Sequence, residues 1–317
     1  MNDSGLVYVA GHSGLVGSAL VRRLGPTLGD RLLVRTSAEL DLTDQAAVDA
    51  FFAAFSPEQV YLVAGRVGGI RDNAEHPAEF IRDNLYIAAN VIDAAFRHGT
   101  RKLLFLGSSC IYPRLAPQPI KPEHLLSGPL EATNRAYAVA KIAGIEICRA
   151  YREQYGFNAI AAMPTNLYGP GDNFDPDRSH VLPALLQRFA AAAADGSEAV
   201  VVWGTGKPRR EFLYVDDLAE ALTMLMDRYD SADIVNVGCG TDLTIAEIAS
   251  VVADVAGFKG EIRFDPSYPD GTPRKLLDVT QIRELGWQPR TALREGLEKT
   301  WAWFKSRGAA DRRRGRP

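Results

Sequence analysis

Short apolar runs alternate along this chain with longer stretches in which apolar residues recur every three or four positions. Leu6-Val7-Tyr8-Val9-Ala10, Leu32-Leu33-Val34-Arg35, Gln59-Val60-Tyr61-Leu62-Val63, Arg101 to Leu106 and Ala159-Ile160-Ala161-Ala162-Met163 have the length and apolarity of buried strands. Between them the stretches 18–24, 45–55, 77–98 and 134–155 carry helical spacing, with Pro77 placed to open the third and Gly99 to end it. Strand and helix in regular turn predict an α/β fold of Rossmann type, a doubly wound parallel sheet. From Pro164 onward the pattern loosens into a loop-rich stretch with Gly169, Pro170, Gly171, Pro176 and Pro183. A helix after Pro183, the strand Val200-Val201-Val202-Trp203 and the segment Gly204 to Arg210 then predict a smaller C-terminal substrate-binding lobe, to which the helices over 216–228 and 244–255 need not both belong. The expected division is a dinucleotide-binding domain over 1–165, with a later segment such as 213–240 crossing back to it, and a substrate lobe over 166–317. The last residues, 306–317, are expected to fray.

Composition changes this picture little. With 317 residues, 46% of them hydrophobic, the chain can bury a substantial core. A net charge of −3 gives no reason to expect nucleic acid or a membrane surface as partner. The basic end Arg312-Arg313-Arg314-Gly315-Arg316 reads as a solvated terminus. No apolar run approaches the roughly 18–20 residues needed to span a bilayer, and the start has neither a basic nor an apolar export region. Cys110, Cys148 and Cys239 are far apart and unlike any metal spacing, which fits a reducing cytoplasm and no bound metal.

The first strand runs into Gly11-His12-Ser13-Gly14-Leu15-Val16-Gly17 and then a helix. In that context a G-x-x-G-x-x-G turn has a physical meaning: it lets backbone approach a pyrophosphate while the helix N-terminus offers N–H groups to the anion. The end of the second strand bears on cofactor choice. An acid there would hold a ribose 2′-hydroxyl, whereas Arg35 suits the extra phosphate of NADP.

The richest chemistry lies between Phe105 and Lys141. The fourth strand breaks into Gly107-Ser108-Ser109-Cys110, and Tyr137 and Lys141 stand one helical turn apart on one face. A neighbouring ammonium is expected to draw the Tyr137 phenol down from its ordinary value near 10. A strand-end serine, Ser108 or its rival Ser109, would share the substrate oxygen. The bland alternative is a packed tyrosine, a solvated lysine and turn serines.

Gly11-x-x-Gly14-x-x-Gly17, Ser108 and Tyr137-x-x-x-Lys141 resemble the extended short-chain dehydrogenase/reductases that act on nucleotide sugars. Gly107-Ser108-Ser109-Cys110-Ile111-Tyr112-Pro113, Pro164-Thr165-Asn166-Leu167-Tyr168-Gly169-Pro170, Ser179-His180-Val181, Arg210-Glu211-Phe212 and Asp270 to Lys275 narrow the resemblance to members that epimerise C3 and C5 and reduce C4 of GDP-4-keto-6-deoxy-D-mannose. It covers the chain to about Lys305. It implies Ser108, Tyr137 and Lys141 as holders of the C4 oxygen, with Cys110 and His180 as the pair that exchanges protons. For NADP(H) it implies the 11–17 turn, Arg35, Leu106, Gly107, Ser109, Pro164, Thr165, Asn166 and Leu167. For the GDP-sugar it implies Arg188, Trp203, Arg210, Lys275 and Asp278, and it implies a homodimer. Family members often carry basic residues where this chain has Ser13 and Ser37, so Arg35 would meet a 2′-phosphate alone. A 4-epimerase would not need the Cys/His pair, a 4,6-dehydratase would be expected to place carboxylates after Ser108, and a non-catalytic dinucleotide sensor would typically lose the Tyr/Lys pair.

Overall fold

The computed structural model describes residues 5–174, 181–268 and 270–313. Strands β1 (Val7–Ala10), β2 (Leu32–Leu33), β3 (Gln59–Leu62), β4 (Lys102–Leu106) and β5 (Ala159–Pro164) alternate with helices α1 (Leu15–Leu28), α2 (Gln45–Phe55), α3 (Ile70–Glu75), α4 (Pro77–Arg97) and α5 (Arg135–Tyr155). After β6 (Asn166–Tyr168) come α6 (Val181–Asp195), β7 (Ala199–Trp203), β8 (Arg209–Arg210), β9 (Phe212–Tyr214) and α7 (Val215–Arg228). The chain then forms β10 (Val235–Val237), β11 (Leu243–Thr244), α8 (Ile245–Ala256), β12 (Glu261–Asp265), β13 (Arg274–Lys275), α9 (Thr280–Glu284) and α10 (Leu293–Arg313).

Six strands make one parallel sheet in the order β10-β5-β4-β3-β1-β2. The chain moves outward from β1 to β2 on one side, then to β3, β4, β5 and β10 on the other. Where the order of such a sheet reverses, helices splay at the strands' carboxyl ends and leave a crevice for ligands. Every residue of β1, β3, β4 and β5 is buried, as expected for strands covered on both faces. A second hydrophobic cluster, centred on Phe189, Val200, Val202, Ile248, Val252 and Phe258, packs α6 and α8 with β7.

The helices start and stop for local reasons. Asp44 Oδ1 caps α2 by accepting from the N–H groups of Ala46 and Ala47. Thr244 and Glu247 form a reciprocal capping box at the start of α8. Gly156 and Gly257 end α5 and α8 in the left-handed conformation. Two expectations change. The second strand stops at Leu33 and does not include Arg35, because only Leu32 and Leu33 pair with β1. The stretch before Pro77 adds α3.

Candidate active site

The glycine turn after β1 is close-packed. A Cβ on Gly17 would lie 2.0 Å from the Gly11 carbonyl oxygen, so only glycine lets α1 approach the turn. Gly14 precedes α1 in extended conformation and makes no side-chain cap, which leaves the first N–H groups of the helix without a local acceptor from that residue. The nearby His12 Nδ1 is buried and has no hydrogen-bond partner. A closely approached backbone and an uncapped helix N-terminus fit a dinucleotide pyrophosphate. Arg35 lies beyond β2 over the rings of Phe51 and Phe55, at 5.6 and 5.0 Å, and its Nη1 donates to the Val34 carbonyl. The nearest acid in sequence, Glu39, turns away to accept from the Thr36 N–H and hydroxyl.

The next part of the site is made by α5 lying hard against β4. A Cβ on Gly144 would come within 2.3 Å of the Phe105 ring, so a glycine there sets the distance between helix and strand. That approach buries Lys141, whose Nζ donates to the Leu106 carbonyl at 2.9 Å and sits 4.9 Å above the Phe105 ring. Burial pushes the Lys141 ammonium down to about 8. Tyr137, one turn earlier, packs edge-on against Phe80, and Lys141 Nζ is 5.9 Å from the Tyr137 ring. The expected depression of the Tyr137 phenol is not found. Burial raises it well above its ordinary value, the neighbouring Cys110 raises it further, and a hydrogen bond with Ser108 only partly opposes them. Tyr137 is therefore a proton donor in this state. The ammonium meant to ionise it is spent on the Leu106 carbonyl.

The two serines separate cleanly. Ser109 is buried in the short turn after β4. Ser108 stands in extended conformation at the strand's end, and its Oγ accepts from the Cys110 N–H at 3.2 Å. Its hydroxyl favours the ionised form of both the Tyr137 phenol and the Cys110 thiol, which places it between the two.

Cys110 differs from the other two cysteines. Burial pushes Cys148 up to about 12, and burial also raises Cys239. At Cys110 burial again works upward, but the Lys275 charge and hydrogen bonds from Ser108, Lys275 and Asn134 outweigh it and hold the thiol below its ordinary value. Such a group ionises, and so takes a carbon-bound proton, more readily than an ordinary thiol. Asn134 directly precedes α5 but makes no side-chain cap; its Oδ1 is buried without a partner and it lines the pocket with Ser109, Cys110 and Lys275. An asparagine one turn before the tyrosine is a signal the sequence carries, but an N-cap is the ordinary reading of it.

The remaining predicted residues fall into three groups. Trp203 is 59% exposed at the end of β7, stacks on Tyr268 with ring centres 4.5 Å apart, and has the Arg188 guanidinium 5.5 Å from its ring. On β8, Arg209 pairs with Asp242, which also pairs with Arg274. Arg210, its Nη1 bonded only to the Arg209 carbonyl, has no ion pair among the described residues. Asn166 donates to the Glu211 carbonyl, while the buried Glu211 carboxylate accepts from the N–H groups of Gly240 and Leu277. Glu211 thereby ties the loop after β10 to the segment following Lys275, a role invisible in the sequence. Asp278 is not brought into this pocket. It accepts from the Thr280 N–H and lines a separate groove with Lys121, Arg149 and Asp233. His180 lies outside the described residues.

Residues 7–238 match the profile of the NAD dependent epimerase/dehydratase family. The chain is 60% identical to the "Probable GDP-L-fucose synthase 1" of Oryza sativa subsp. japonica, over 96% of this chain and 93% of that protein. It is 51% identical to the "GDP-L-fucose synthase" of Escherichia coli (strain K12), over 94% of this chain and 96% of that protein. Among solved structures, a GDP-mannoheptose C4 reductase from Campylobacter jejuni with NADP bound superposes with a TM-score of 0.89 at 37% identity, covering 96% of this chain and 99% of that one.

Proposed function

The chain belongs to the NAD dependent epimerase/dehydratase family, and on that premise we propose that it converts GDP-4-keto-6-deoxy-D-mannose to GDP-L-fucose, epimerising C3 and C5 and reducing C4. The observation that carries this is the Cys110 thiol, held below its ordinary value beside Ser108 and Lys275 in the same site as the buried phenol of Tyr137. Ketone reduction alone needs the phenol and not the thiol.

The C4 ketone acidifies the protons on C3 and C5. Ser108 and Tyr137 donate to the C4 oxygen, stabilising the enolate as each proton leaves. Cys110, with His180 as its counterpart, removes and returns those protons, so that each carbon is inverted. When bound, NADPH supplies the hydride for C4. Tyr137, kept protonated by burial, then donates to the alkoxide. Lys141 fixes the helix to the strand end through the Leu106 carbonyl and adds positive charge beside the oxygen site. Arg188 and Arg210 suit the GDP pyrophosphate, and the exposed Trp203–Tyr268 stack offers a flat apolar wall. Mixing protein, NADPH and the keto-sugar nucleotide and following nicotinamide absorbance tests the reductase half. Absence of NADPH oxidation would refute it, and a product with C3 and C5 unchanged would refute the epimerase half.

Arg35 carries the preference for NADPH. Arg35→Ala is expected to raise KM for NADPH about tenfold, the order of a partly exposed charged hydrogen bond, and to leave KM for NADH nearly unchanged. An equal change for both cofactors would remove Arg35 from the 2′-phosphate.

The enzyme works as a homodimer in the cytoplasm. Support for the first comes from the exposed apolar residues Tyr86 on α4 and Val139 on α5, two helices that lie side by side. Light scattering at the monomer mass would contradict it. Among the described residues no helix is long and apolar enough to cross a membrane.

A further inference from the structure

Lys275 stands 165 residues from Cys110 in sequence, yet its Nζ lies 3.5 Å from the Cys110 sulfur. Three features make this contact more than a chance approach. First, Lys275 is half-buried and has no carboxylate within ion-pair distance among the described residues. Its neighbour Arg274 is held by Asp242, whereas Lys275 has only the sulfur as a side-chain partner there. Second, the backbone of Lys275 is fixed. β13 pairs in parallel with β8, Lys275 opposite Arg210, and the Asp242 carboxylate clamps Arg209 and Arg274 across the same pair of strands. Third, Ser108 at the strand end and Asn134 at the start of α5 share this pocket wall with Cys110 and favour a charge on its sulfur alongside Lys275.

We propose that Lys275 is a positioning residue for the epimerisation, the counter-ion that keeps Cys110 as a thiolate before substrate arrives. The assignment rests on the role given above to Cys110. It separates Lys275 from the substrate pyrophosphate, where Arg188 and Arg210 suffice. A thiolate can take a proton from the carbon beside the ketone, becoming a neutral thiol and leaving the electron pair on the enolate oxygen. Lys275 would remain an ammonium throughout, and its attraction for sulfur would fall as the proton arrives. The other charged or titratable groups facing Cys110 do not substitute for it. Tyr137, from α5, is neutral while its phenol stays raised. Arg114 and Glu131 pair with each other at the pocket wall, and Arg274 pairs with Asp242. His180 lies outside the described residues.

The test is alkylation of the full-length protein by iodoacetamide across about pH 6 to 10, reading modified Cys110 by peptide mass spectrometry. Cys110→Ser identifies the labelled peptide, and Cys148, buried and raised, serves as the unreactive internal reference. In Lys275→Met the midpoint of Cys110 labelling is expected to move up by about one pH unit or more, and in Lys275→Arg to return most of the way, because a guanidinium restores the charge. An unchanged midpoint in Lys275→Met would overturn the proposal. So would an equal rise in both variants, since charge would then not be the agent. Retained circular dichroism in Lys275→Met excludes simple unfolding as the source of a shift. Alkylation needs no turnover, so a protein that labels as expected but leaves the GDP-sugar unchanged would refute the proposed activity while sparing the ion pair.

Discussion

Replacing Tyr137 with phenylalanine is expected to slow both proton exchange at C3 and C5 and reduction at C4, each on the order of 10²- to 10⁴-fold, the range for loss of a positioned proton donor. The shared loss follows from geometry. Tyr137 and Ser108 lie together at the end of β4, and a carbonyl oxygen held there is the same oxygen in every step. Phenylalanine keeps the edge-on contact with Phe80 and the packing beside Lys141, so folding and NADPH affinity should stay near those of the parent. Stopped-flow absorbance for reduction, and exchange of C3 and C5 protons into deuterated water without cofactor, measure the two losses separately. A fall in reduction with exchange untouched would mean that the enolate oxygen is held elsewhere.

Cys110→Ser, by contrast, is expected to be selective. A serine hydroxyl is nearly isosteric but does not ionise near neutral pH, so exchange at C3 and C5 should fall by at least about 10²-fold. Reduction should survive better, because Ser108, Tyr137 and Lys141 remain. The product would then accumulate with C4 reduced and its neighbours uninverted. NADPH binding, which rests on the glycine turn and Arg35, should not change. If Cys110→Ser abolished NADPH binding instead, the thiol would belong to the cofactor pocket. Proton exchange in the parent should fall as pH drops through the lowered pKa of the Cys110 thiol, because the reactive form is the deprotonated one. Lys275→Met should move that fall to higher pH.

Much of this was legible in the chain because it is local. Continuous apolarity marks strands buried on both faces, and β1, β3, β4 and β5 fall within a residue or so of where the pattern places them. Gly11 and Ser108 sit just past a strand's end, where turn chemistry and position coincide, and the i,i+4 spacing of Tyr137 and Lys141 fixes a shared helix face. Burial is where local reasoning failed. Spacing alone suggested that Lys141 would ionise Tyr137. The folded chain gives Lys141 to the Leu106 carbonyl and leaves the phenol protonated, a consequence of how closely Gly144 lets α5 approach Phe105. Contacts of long sequence separation were equally hidden. Lys275 reaches Cys110 only because β13 pairs with β8, two-residue strands too short to produce an alternating pattern. Asp242 and Glu211 read as ordinary acids until the fold makes one a clamp between two arginines and the other a buried acceptor for two backbone N–H groups.

The claim on which everything turns is that one oxygen site serves two inversions and one reduction. Turnover of GDP-4-keto-6-deoxy-D-mannose in deuterated water with unlabelled NADPH, followed by NMR of the isolated sugar nucleotide, tests it most directly. The expected product carries deuterium at both C3 and C5, protium at C4 and the configuration of L-fucose. Protium retained at C3 and C5, with both centres uninverted, would contradict it and leave the chain a simple 4-reductase.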